Sequence, residues 1–429
     1  MIFESVNHIT DKSSFLEKIL IYIRLVEVYA ERMGLNIPTI DNTTSEIEEE
    51  LINIGVISES TDLSLLKSII KTEYLRFISC VSFYLANKEG MGTLLDKLNN
   101  KKRKELQEAE QKKTKPLFVD FFAGAGGLSC GFMQAGYKVD FANDFEDVCV
   151  RTYRYNHPEL PADRVLKNDI RQIVDHIEEY VNKSIDVVVG GPPCQGFSSA
   201  NQQRIIDDPR NELYKYFIKA VKKILPKFVV MENVKGMLSV ADQVVEDYQN
   251  IDETRNGSNF SYKVAYRLLN SVNFSVAQSR ERLIYIAIRT DVIETKQITP
   301  ELLFEQILKN NEGKKLFVLR DALEYIRPLD APRVKNMNEV DDESTGKKID
   351  VNTHNGDENE YLQLINGERK IPYLFNHKAR FVNDINYDIY RLLNQGDDAS
   401  AGYVGDCAYA DGAVDGRHVC QDNALEDGN

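Results

Sequence analysis

The sequence of 429 residues has few cysteines, no long apolar run and a shortage of positive charge. Its 6 cysteines are irregularly spaced and form no Cys-x-x-Cys pair, which argues against a disulfide framework or a zinc site and for a reduced, cytosolic protein. The most apolar segment, 15–30, is interrupted by charged residues, so no transmembrane helix is predicted. The N-terminus has no basic region followed by an apolar stretch, so no secretory signal is predicted either.

Acidic residues outnumber basic ones, 67 against 53, and the formal net charge is -14. This balance is unfavourable to a nucleic-acid binder at first sight, but the charge of a whole chain says little about a local groove. Hydrophobic residues make up 42% of the chain and charged residues 28%, as in a globular protein with a sizeable core. The length favours two or three structural units.

The first part of the chain differs in pattern from the rest. Over 1–113, apolar residues recur at three- and four-residue steps, which predicts a helical N-terminal unit of unknown role with helices at 15–30, 62–70 and 74–85. The charge-rich stretch 101–115 is predicted to be a solvated helix or linker, and a basic arm on phosphate is the less favoured alternative. From Pro116, short apolar runs alternate with helical patterns, which predicts a doubly wound, mostly parallel α/β sheet over 114–320.

The individual elements of this sheet domain follow from the same alternation. Strands are predicted at 117–121, 139–142, 165–166, 185–189 and 228–231, with helices at 128–135, 148–155, 170–181 and 213–224. Segments 274–277 and 283–288 are predicted to form an antiparallel pair at the edge of the sheet. The remainder has a weaker pattern, and 397–429 is rich in Gly, Ala and Asp without any period, as a shifted or prematurely ended reading frame would be.

A glycine-rich turn, DFFAGAGG at 120–127, follows the first predicted strand. Ligands of open α/β sheets bind beyond the carboxyl ends of the strands, and glycines there let the backbone approach a ligand closely. Asp144, past the second strand, is expected to hold ribose hydroxyls, Phe145 to cover an adenine face, and Asp169 to accept from an adenine amine. The turn is neither a GxGxxG fingerprint nor a P-loop, so the pattern favours a nucleoside ligand without a pyrophosphate. A purely structural turn is the alternative.

The stretch GGPPCQGFS at 190–198 places Cys194 on a loop stiffened by two prolines, after the fourth predicted strand. A lone cysteine is more often a packing residue than a nucleophile, but this one lies in a polar loop beside a predicted helix start, which favours a thiolate. Glu232 follows the next strand, so its carboxyl group is expected beside the thiol. Arg280 and Arg282 point to one side if the chain is extended there. These groups indicate a catalytic site, and a plain ion pair of Glu232 with the arginines is the structural alternative.

Four motifs, DFFAGAGG, GGPPCQGFS, ENV and QSRERL, resemble in order and spacing those of the DNA cytosine-5 methyltransferases over 115–289. The resemblance implies a Rossmann-like, S-adenosylmethionine-dependent methyltransferase fold with no metal. It implies that Cys194 is the nucleophile and Glu232 its partner acid. The arginines of the catalytic pocket would be Arg280 and Arg282. The implied cofactor-binding residues are Phe122, Gly124, Gly126, Gly127, Asp144, Phe145, Asp169, Ile170, Pro192 and Leu213.

The chemistry of that family explains why these residue types are needed. A thiolate adds to carbon 6 of a cytosine flipped out of the duplex, and carbon 5 of the resulting enamine then attacks the methyl group. A carboxyl group bonded to ring nitrogen 3 stabilises the developing electron density. The implied function is therefore cytosine-5 methylation of DNA, within a bacterial restriction-modification system and at the nucleoid.

The resemblance does not extend to the end of the chain. The family's closing Gly-Asn-Ser-Val segment has no counterpart, and 321–396 resembles only the start of its target-recognition region, in which His377 is expected to be structural. We therefore expect a truncated chain, or one that needs a second chain carrying the missing motifs. Two alternatives are kept: a methyltransferase that acts on cytosine in transfer RNA, and a cofactor-binding remnant without turnover.

Overall fold

The computed structural model of the protein describes residues 3–91, 100–193, 213–335, 341–351, 357–367 and 373–392. The chain forms two compact units. The first comprises Met1–Ile23, Ile37–Leu323 and Glu358–Gly367, and the second comprises Arg24–Asn36, Glu324–Asp357 and Glu368–Asn429. Within the described ranges, no helix combines the length and the apolar character that crossing a membrane would need. The predicted limits of the domains stay a prediction, as does the nature of 397–429, which lies outside the described residues.

The N-terminal segment is helical, as its apolar spacing predicts. The T-shaped ring pair of Tyr22 and Phe77, with centroids 5.3 Å apart, lies in the core of the first unit. The predicted solvated helix at 101–115 is only partly correct, because Arg103 and Glu110 are buried. The helices of this segment are α1 (Lys12–Met33), α2 (Ser45–Asn53), α3 (Leu63–Ile70), α4 (Tyr74–Ala86), α5 (Lys88–Met91) and α6 (Asn100–Gln111).

A seven-stranded sheet follows, and it confirms the predicted doubly wound, mostly parallel architecture. Its strand order is β3-β2-β1-β4-β5-β9-β8, in which the first five strands are parallel and β9 runs antiparallel to both of its neighbours, β5 and β8. The strands are β1 (Leu117–Phe121), β2 (Lys138–Asp144), β3 (Val165–Lys167), β4 (Val187–Gly190), β5 (Phe228–Val234), β8 (Tyr262–Asn270) and β9 (Glu281–Arg289); β6 (Glu253–Arg255) and β7 (Ser258–Phe260) form a separate hairpin.

Helices cover both faces of this sheet, which is why its central strands are mostly apolar. In β4, Val187 and Val189 pack into one buried cluster and Val188 packs into the other, on the opposite face. The connecting helices are α7 (Gly127–Gln134), α8 (Asp147–Asn156), α9 (Ile170–Ile173), α10 (Ile177–Tyr180), α11 (Leu213–Ile224) and α12 (Ala241–Gln249). Further along the chain lie α13 (Thr290–Lys296), α14 (Pro300–Asn311), α15 (Leu319–Leu323) and α16 (Glu360–Asn366).

The prediction of one helix at 170–181 was wrong. The chain instead forms α9 and α10 with a 3₁₀ turn, Val174–His176, between them. Ile170, Val174 and Ile177 nevertheless pack into the same core cluster. Because the buried face continues across the break, the apolar spacing carries no sign of the change in hydrogen-bond pattern.

The predicted edge strand at 274–277 was also wrong. Ser271–Phe274 is a 3₁₀ turn, and Ser275 has a φ of 60°, which no strand accommodates. The partner of β9 is β8, which pairs with it over its whole length from Tyr262 to Asn270. The predicted strand 228–231 extends three residues further, because Glu232 and the two residues after it pair with β9.

The second unit contains an antiparallel strand pair, β10 (Gly346–Val351) with β11 (Tyr373–Lys378), and the helix α17 (Asp384–Leu392). The buried carboxylate of Asp350 joins its elements: His377 Nδ1 lies 2.9 Å from Asp350 Oδ2, and Arg327 Nη2 lies 2.7 Å from the same oxygen. These contacts lower the pKa of Asp350 against the raising effect of its burial. His377 thus contributes to the packing of the strand pair.

Candidate active site

The glycine-rich turn connects the carboxyl end of β1 to α7 and lies against the end of β2. The Gly124 N–H donates to Asp144 Oδ2 at 2.8 Å, and the Ala123 N–H donates to the Asn143 carbonyl at 3.0 Å. The turn requires left-handed backbone at Gly124 (φ 56°) and Gly126 (φ 92°), and also at Phe122 (φ 56°). Glycine adopts this conformation without strain, so the residue type explains the shape of the turn.

The turn exposes backbone beside a carboxylate and an aromatic ring. No atom of the described residues lies within 4 Å of the position that a Cβ would take at Gly124 or Gly127. Asp144 is held by two backbone donors, because its Oδ1 also accepts from the Glu146 N–H at 2.9 Å. The neighbouring Phe145 ring is 64% exposed. Open backbone, a fixed carboxylate and an uncovered ring suit a nucleoside, and this geometry fits S-adenosylmethionine.

A buried polar network lies beneath the turn, and the sequence patterns did not reveal it. Ser129 Oγ donates to Asp120 Oδ2 at 2.6 Å and lies 2.6 Å from the Tyr153 hydroxyl. Asp120 is fully buried, and this burial raises its pKa to about 7 against the lowering effect of the Ser129 hydrogen bond. Because these residues come from β1, α7 and α8, their proximity has no signature in the local sequence.

Asp169 and Ile170 follow β3 at the same edge of the sheet. The Asp169 side chain caps α9 by accepting from the Arg171 N–H at 2.9 Å, and the Arg171 guanidinium contacts both of its oxygens at 2.5–3.0 Å. Hydrogen bonding from Arg171 lowers the pKa of Asp169. Ile170 is 2% exposed and belongs to the core. The roles of these two residues at an adenine edge stay predictions.

The structure describes the start of the proline-containing loop, up to residue 193, and Cys194 lies outside the described residues. Only glycine fits at position 190, where a Cβ would stand 2.6 Å from the Phe121 carbonyl oxygen and 2.7 Å from the Phe217 ring. The next residues are attached to β5, because Asn233 Nδ2 donates to the Pro192 carbonyl at 3.0 Å. The path of the chain into the predicted nucleophile is therefore set by neighbouring strands.

Glu232 lies beside this loop and is paired with Arg282. A Cβ at Gly191 would stand 3.2 Å from Glu232 Oε2, and Arg282 Nε lies 2.8 Å from Glu232 Oε1. The register explains the pairing: Glu232 opposes Ile284 and Val234 opposes Arg282, so the two charged side chains share one face of the sheet as diagonal neighbours. Both are partly exposed, 30% for Glu232 and 24% for Arg282.

The remaining predicted residues differ in their surroundings. Arg280 precedes β9, its side chain is exposed, and its N–H donates to Asn270 Oδ1 at 3.1 Å. Leu213 begins α11 and packs against the main core. The structure thus brings together Glu232, Arg282 and the backbone of 191–192, and separately the glycine turn with Asp144 and Phe145.

Comparison with known proteins identifies the family. Residues 117–405, more than half of the chain, match the family model of the C-5 cytosine-specific DNA methylases. The chain belongs to the C-5 cytosine-specific DNA methylase family. This confirms the resemblance carried by the four sequence motifs.

Several bacterial Type II methyltransferases are similar to this chain. Type II methyltransferase M.FnuDI of Fusobacterium nucleatum is 40% identical over 176 residues, which are 41% of this chain and 47% of that protein. Type II methyltransferase M.AquIA of a Picosynechococcus strain is 37% identical over 181 residues, 40% of this chain and 71% of that protein. The chain thus spans about half the length of M.FnuDI. A solved structure of a prophage-encoded Escherichia coli protein, assigned as a DNA modification methyltransferase, matches with a TM-score of 0.43 and 22% identity, covering 58% of this chain and 64% of that one.

Two residues of this chain gain a structural role that the motifs alone did not suggest. Asn233, the central residue of the ENV motif, is 3% exposed and holds the Pro192 carbonyl. Asn143 Nδ2 donates to the carbonyls of Leu166 and Asn168 and so joins the ends of β2 and β3. The sequence signal for each was an asparagine directly beside a predicted site carboxylate: Asn143 precedes Asp144, and Asn233 follows Glu232.

Proposed function

We propose that this protein transfers a methyl group from S-adenosylmethionine to carbon 5 of cytosine in DNA, through a transient bond between Cys194 and carbon 6. One observation carries the proposal: the Glu232 carboxyl group, paired with Arg282, lies beside Gly191 and Pro192, the residues that lead into Cys194. A thiol on that loop would share one pocket with a carboxyl group and a guanidinium. The Type II methyltransferases to which the chain is similar support DNA as the substrate, rather than transfer RNA.

Each group has a defined task in this chemistry. The Cys194 thiolate attacks carbon 6 of the flipped base, which moves electron density towards carbon 5 and ring nitrogen 3. Glu232 shares a proton with that nitrogen and stabilises the density there, while Arg282 orients the carboxyl group. After carbon 5 has taken the methyl group it loses its proton, and the carbon–sulfur bond breaks to release Cys194. Arg280, exposed beside this pair, is available to contact the base or its phosphate.

The cofactor would bind at the glycine turn. S-adenosylmethionine supplies an electrophilic methyl group on its sulfonium when bound. The backbone of Phe122 to Gly127 approaches the ligand, Asp144 accepts from ribose hydroxyls, and Phe145 covers an adenine face. Asp169 and Ile170 would contact the adenine, and Pro192 and Leu213 would complete the cofactor site. We further propose that the protein acts at the bacterial nucleoid in a restriction-modification system. The need for a second chain that carries the missing motifs stays a prediction.

Covalent trapping on DNA tests this function. The protein, together with a second chain that supplies the family's closing segment, is incubated with tritiated S-adenosylmethionine and mixed-sequence duplexes containing 5-fluorocytosine, then analysed on a denaturing gel. Fluorine does not leave as a proton does, so we expect a labelled protein–DNA adduct that persists after methyl transfer. The adduct should be absent from Cys194→Ser and absent when the duplex contains no cytosine analogue. Methylation of normal DNA without any adduct, or an adduct with Cys194→Ser, would contradict the proposed mechanism.

A further inference from the structure

Helix α6, the last part of the helical N-terminal segment, is attached to the sheet domain by two partly buried hydrogen bonds. Arg103 Nη2 donates to the Arg154 carbonyl at 3.0 Å, and Gln107 Nε2 donates to the Pro158 carbonyl at 3.2 Å. Arg103 is only 7% exposed. An arginine with so little solvent contact in an otherwise highly charged helix indicates a specific docking contact, because burial of a guanidinium is costly unless it is paired.

The segment that α6 contacts is the one that packs beneath the glycine turn. His157 lies between Arg154 and Pro158, is 5% exposed, and stacks on Tyr153 with ring centroids 4.5 Å apart. Its Nε2 occupies the space beside Gly126, since a Cβ there would stand 2.4 Å from that nitrogen. The histidine ring therefore packs against the backbone of Gly126, in the space that a side chain would otherwise fill.

Charge complementarity strengthens the same connection. His157 Nδ1 lies 3.2 Å from Glu159 Oε1, so Glu159 fixes the orientation of the ring. Arg103 is a nearby cation for this carboxylate: burial lowers the pKa of Arg103, and the charge of Glu159 opposes that effect. Arg103 and Gln107 thus hold the segment Arg154–Pro158 at two carbonyls, and within that segment His157, oriented by Glu159, packs against Gly126.

We propose that α6 is a brace for the cofactor turn and that Arg103 is a positioning residue, which with Gln107 holds the segment Arg154–Pro158, and so His157, against Gly126 and thereby sets the affinity for S-adenosylmethionine. The inference rests on the proposed function, because it takes the glycine turn to be the cofactor site. Left-handed backbone is strained at a residue such as Phe122, so the turn keeps this conformation only if packing contacts stabilise it. A preorganised turn binds its ligand more tightly, because less ordering occurs on binding. The helical N-terminal segment thereby acquires a role in cofactor binding.

Calorimetric titration of the full-length protein with S-adenosylmethionine tests the brace. Loss of a buried hydrogen bond from a charged donor is expected to weaken binding about tenfold in Arg103→Ala. Lys104→Ala is the matched control, because the neighbouring residue is exposed on the same helix and carries the same charge. Its affinity should stay within about twofold of wild type. Arg103→Lys, which keeps the charge, should restore part of the lost affinity.

A second variant and a stability measurement separate positioning from general destabilisation. Gln107→Leu removes the bond to the Pro158 carbonyl without burying a new charge, and we expect it to weaken binding about threefold even if Arg103→Ala does not fold. Thermal unfolding without ligand is measured in parallel, since a purely structural role lowers Tm and leaves Kd unchanged. If Arg103→Ala binds S-adenosylmethionine with wild-type affinity, the brace is wrong and the proposed cofactor site stands. If Arg103→Ala does not fold, wild-type affinity in Gln107→Leu leads to the same conclusion. No binding by the wild type would overturn the proposed cofactor site and the brace with it.

Discussion

At the scale of single residues, two carboxylates in this protein have opposite environments. Asp144 is half-buried at the edge of the sheet and accepts from two backbone N–H groups, Gly124 and Glu146. Asp120 is fully buried nearby, and its partner in the network is the Ser129 hydroxyl. The first is the proposed ribose acceptor, and the second lies beneath the turn and is hydrogen-bonded to Ser129.

Replacement of Asp144 should therefore reduce cofactor binding specifically. Asp144→Ala removes both the predicted ribose acceptor and the anchor of the Gly124 N–H, and we expect Kd for S-adenosylmethionine to rise at least about tenfold. Glu146→Ala, an exposed carboxylate two residues along the chain, is the control and should bind as the wild type does. Calorimetric titration distinguishes them, and equal affinities for both variants would mean that the ribose contact has been assigned to the wrong residue.

At the scale of elements, the site is formed where the ends of β4 and β5 meet. The Asn233 side chain bridges them: its Nδ2 donates to the Pro192 carbonyl and its Oδ1 accepts from the Val234 N–H. This residue is buried, so the bridge is protected from water and determines the direction in which the loop leaves β4.

Removal of the donor from this bridge should slow adduct formation. Asn233→Asp keeps the oxygen that accepts from Val234 but places a second acceptor against the Pro192 carbonyl. We expect the rate of 5-fluorocytosine trapping to fall by about tenfold or more, since about 1–3 kcal/mol of buried hydrogen bonding is lost. Gln243→Glu, the same amide-to-carboxylate change at an exposed site on α12, is the control. An unchanged trapping rate in Asn233→Asp would show that the loop is positioned by other contacts.

At the scale of the whole molecule, the buried network couples stability to pH. Burial raises the pKa of Asp120 from its ordinary 3.8 to about 7. Between these two values the folded protein retains a proton that the unfolded chain releases, so this group's contribution to stability decreases as the pH rises from about 4 to about 7 and is constant above that.

An isosteric neutral residue should remove this dependence. Asp120→Asn keeps an oxygen that accepts from Ser129 but does not ionise. Thermal unfolding between pH 5 and about 8 should show a smaller decrease of Tm with rising pH in Asp120→Asn than in the wild type. If the two proteins lose Tm in parallel over this range, Asp120 is not the group that titrates.

The sequence by itself determined the alternation of the five parallel strands with helices, the glycine turn and the family. These properties depend on local periodicity, on glycine where a left-handed backbone is needed, and on short motifs, all of which involve residues close together in the chain. Motif order also indicated that Glu232 belongs with the arginines. The pattern did not separate Arg282, which pairs with Glu232, from Arg280, whose side chain is exposed.

The tertiary structure decided what depends on residues far apart in the chain. The break in the helix at 170–181 and the choice of β8 rather than 274–277 as the partner of β9 follow from packing and register, which a local apolar pattern does not encode. The Glu232–Arg282 pair required the antiparallel register of β5 and β9. Arg103 lies in a helix predicted to be solvated, but it is buried because it donates to the Arg154 carbonyl, about fifty residues further along the chain. Long-range pairing of this kind leaves no local signature, because each side chain meets its partner only after the sheet has formed.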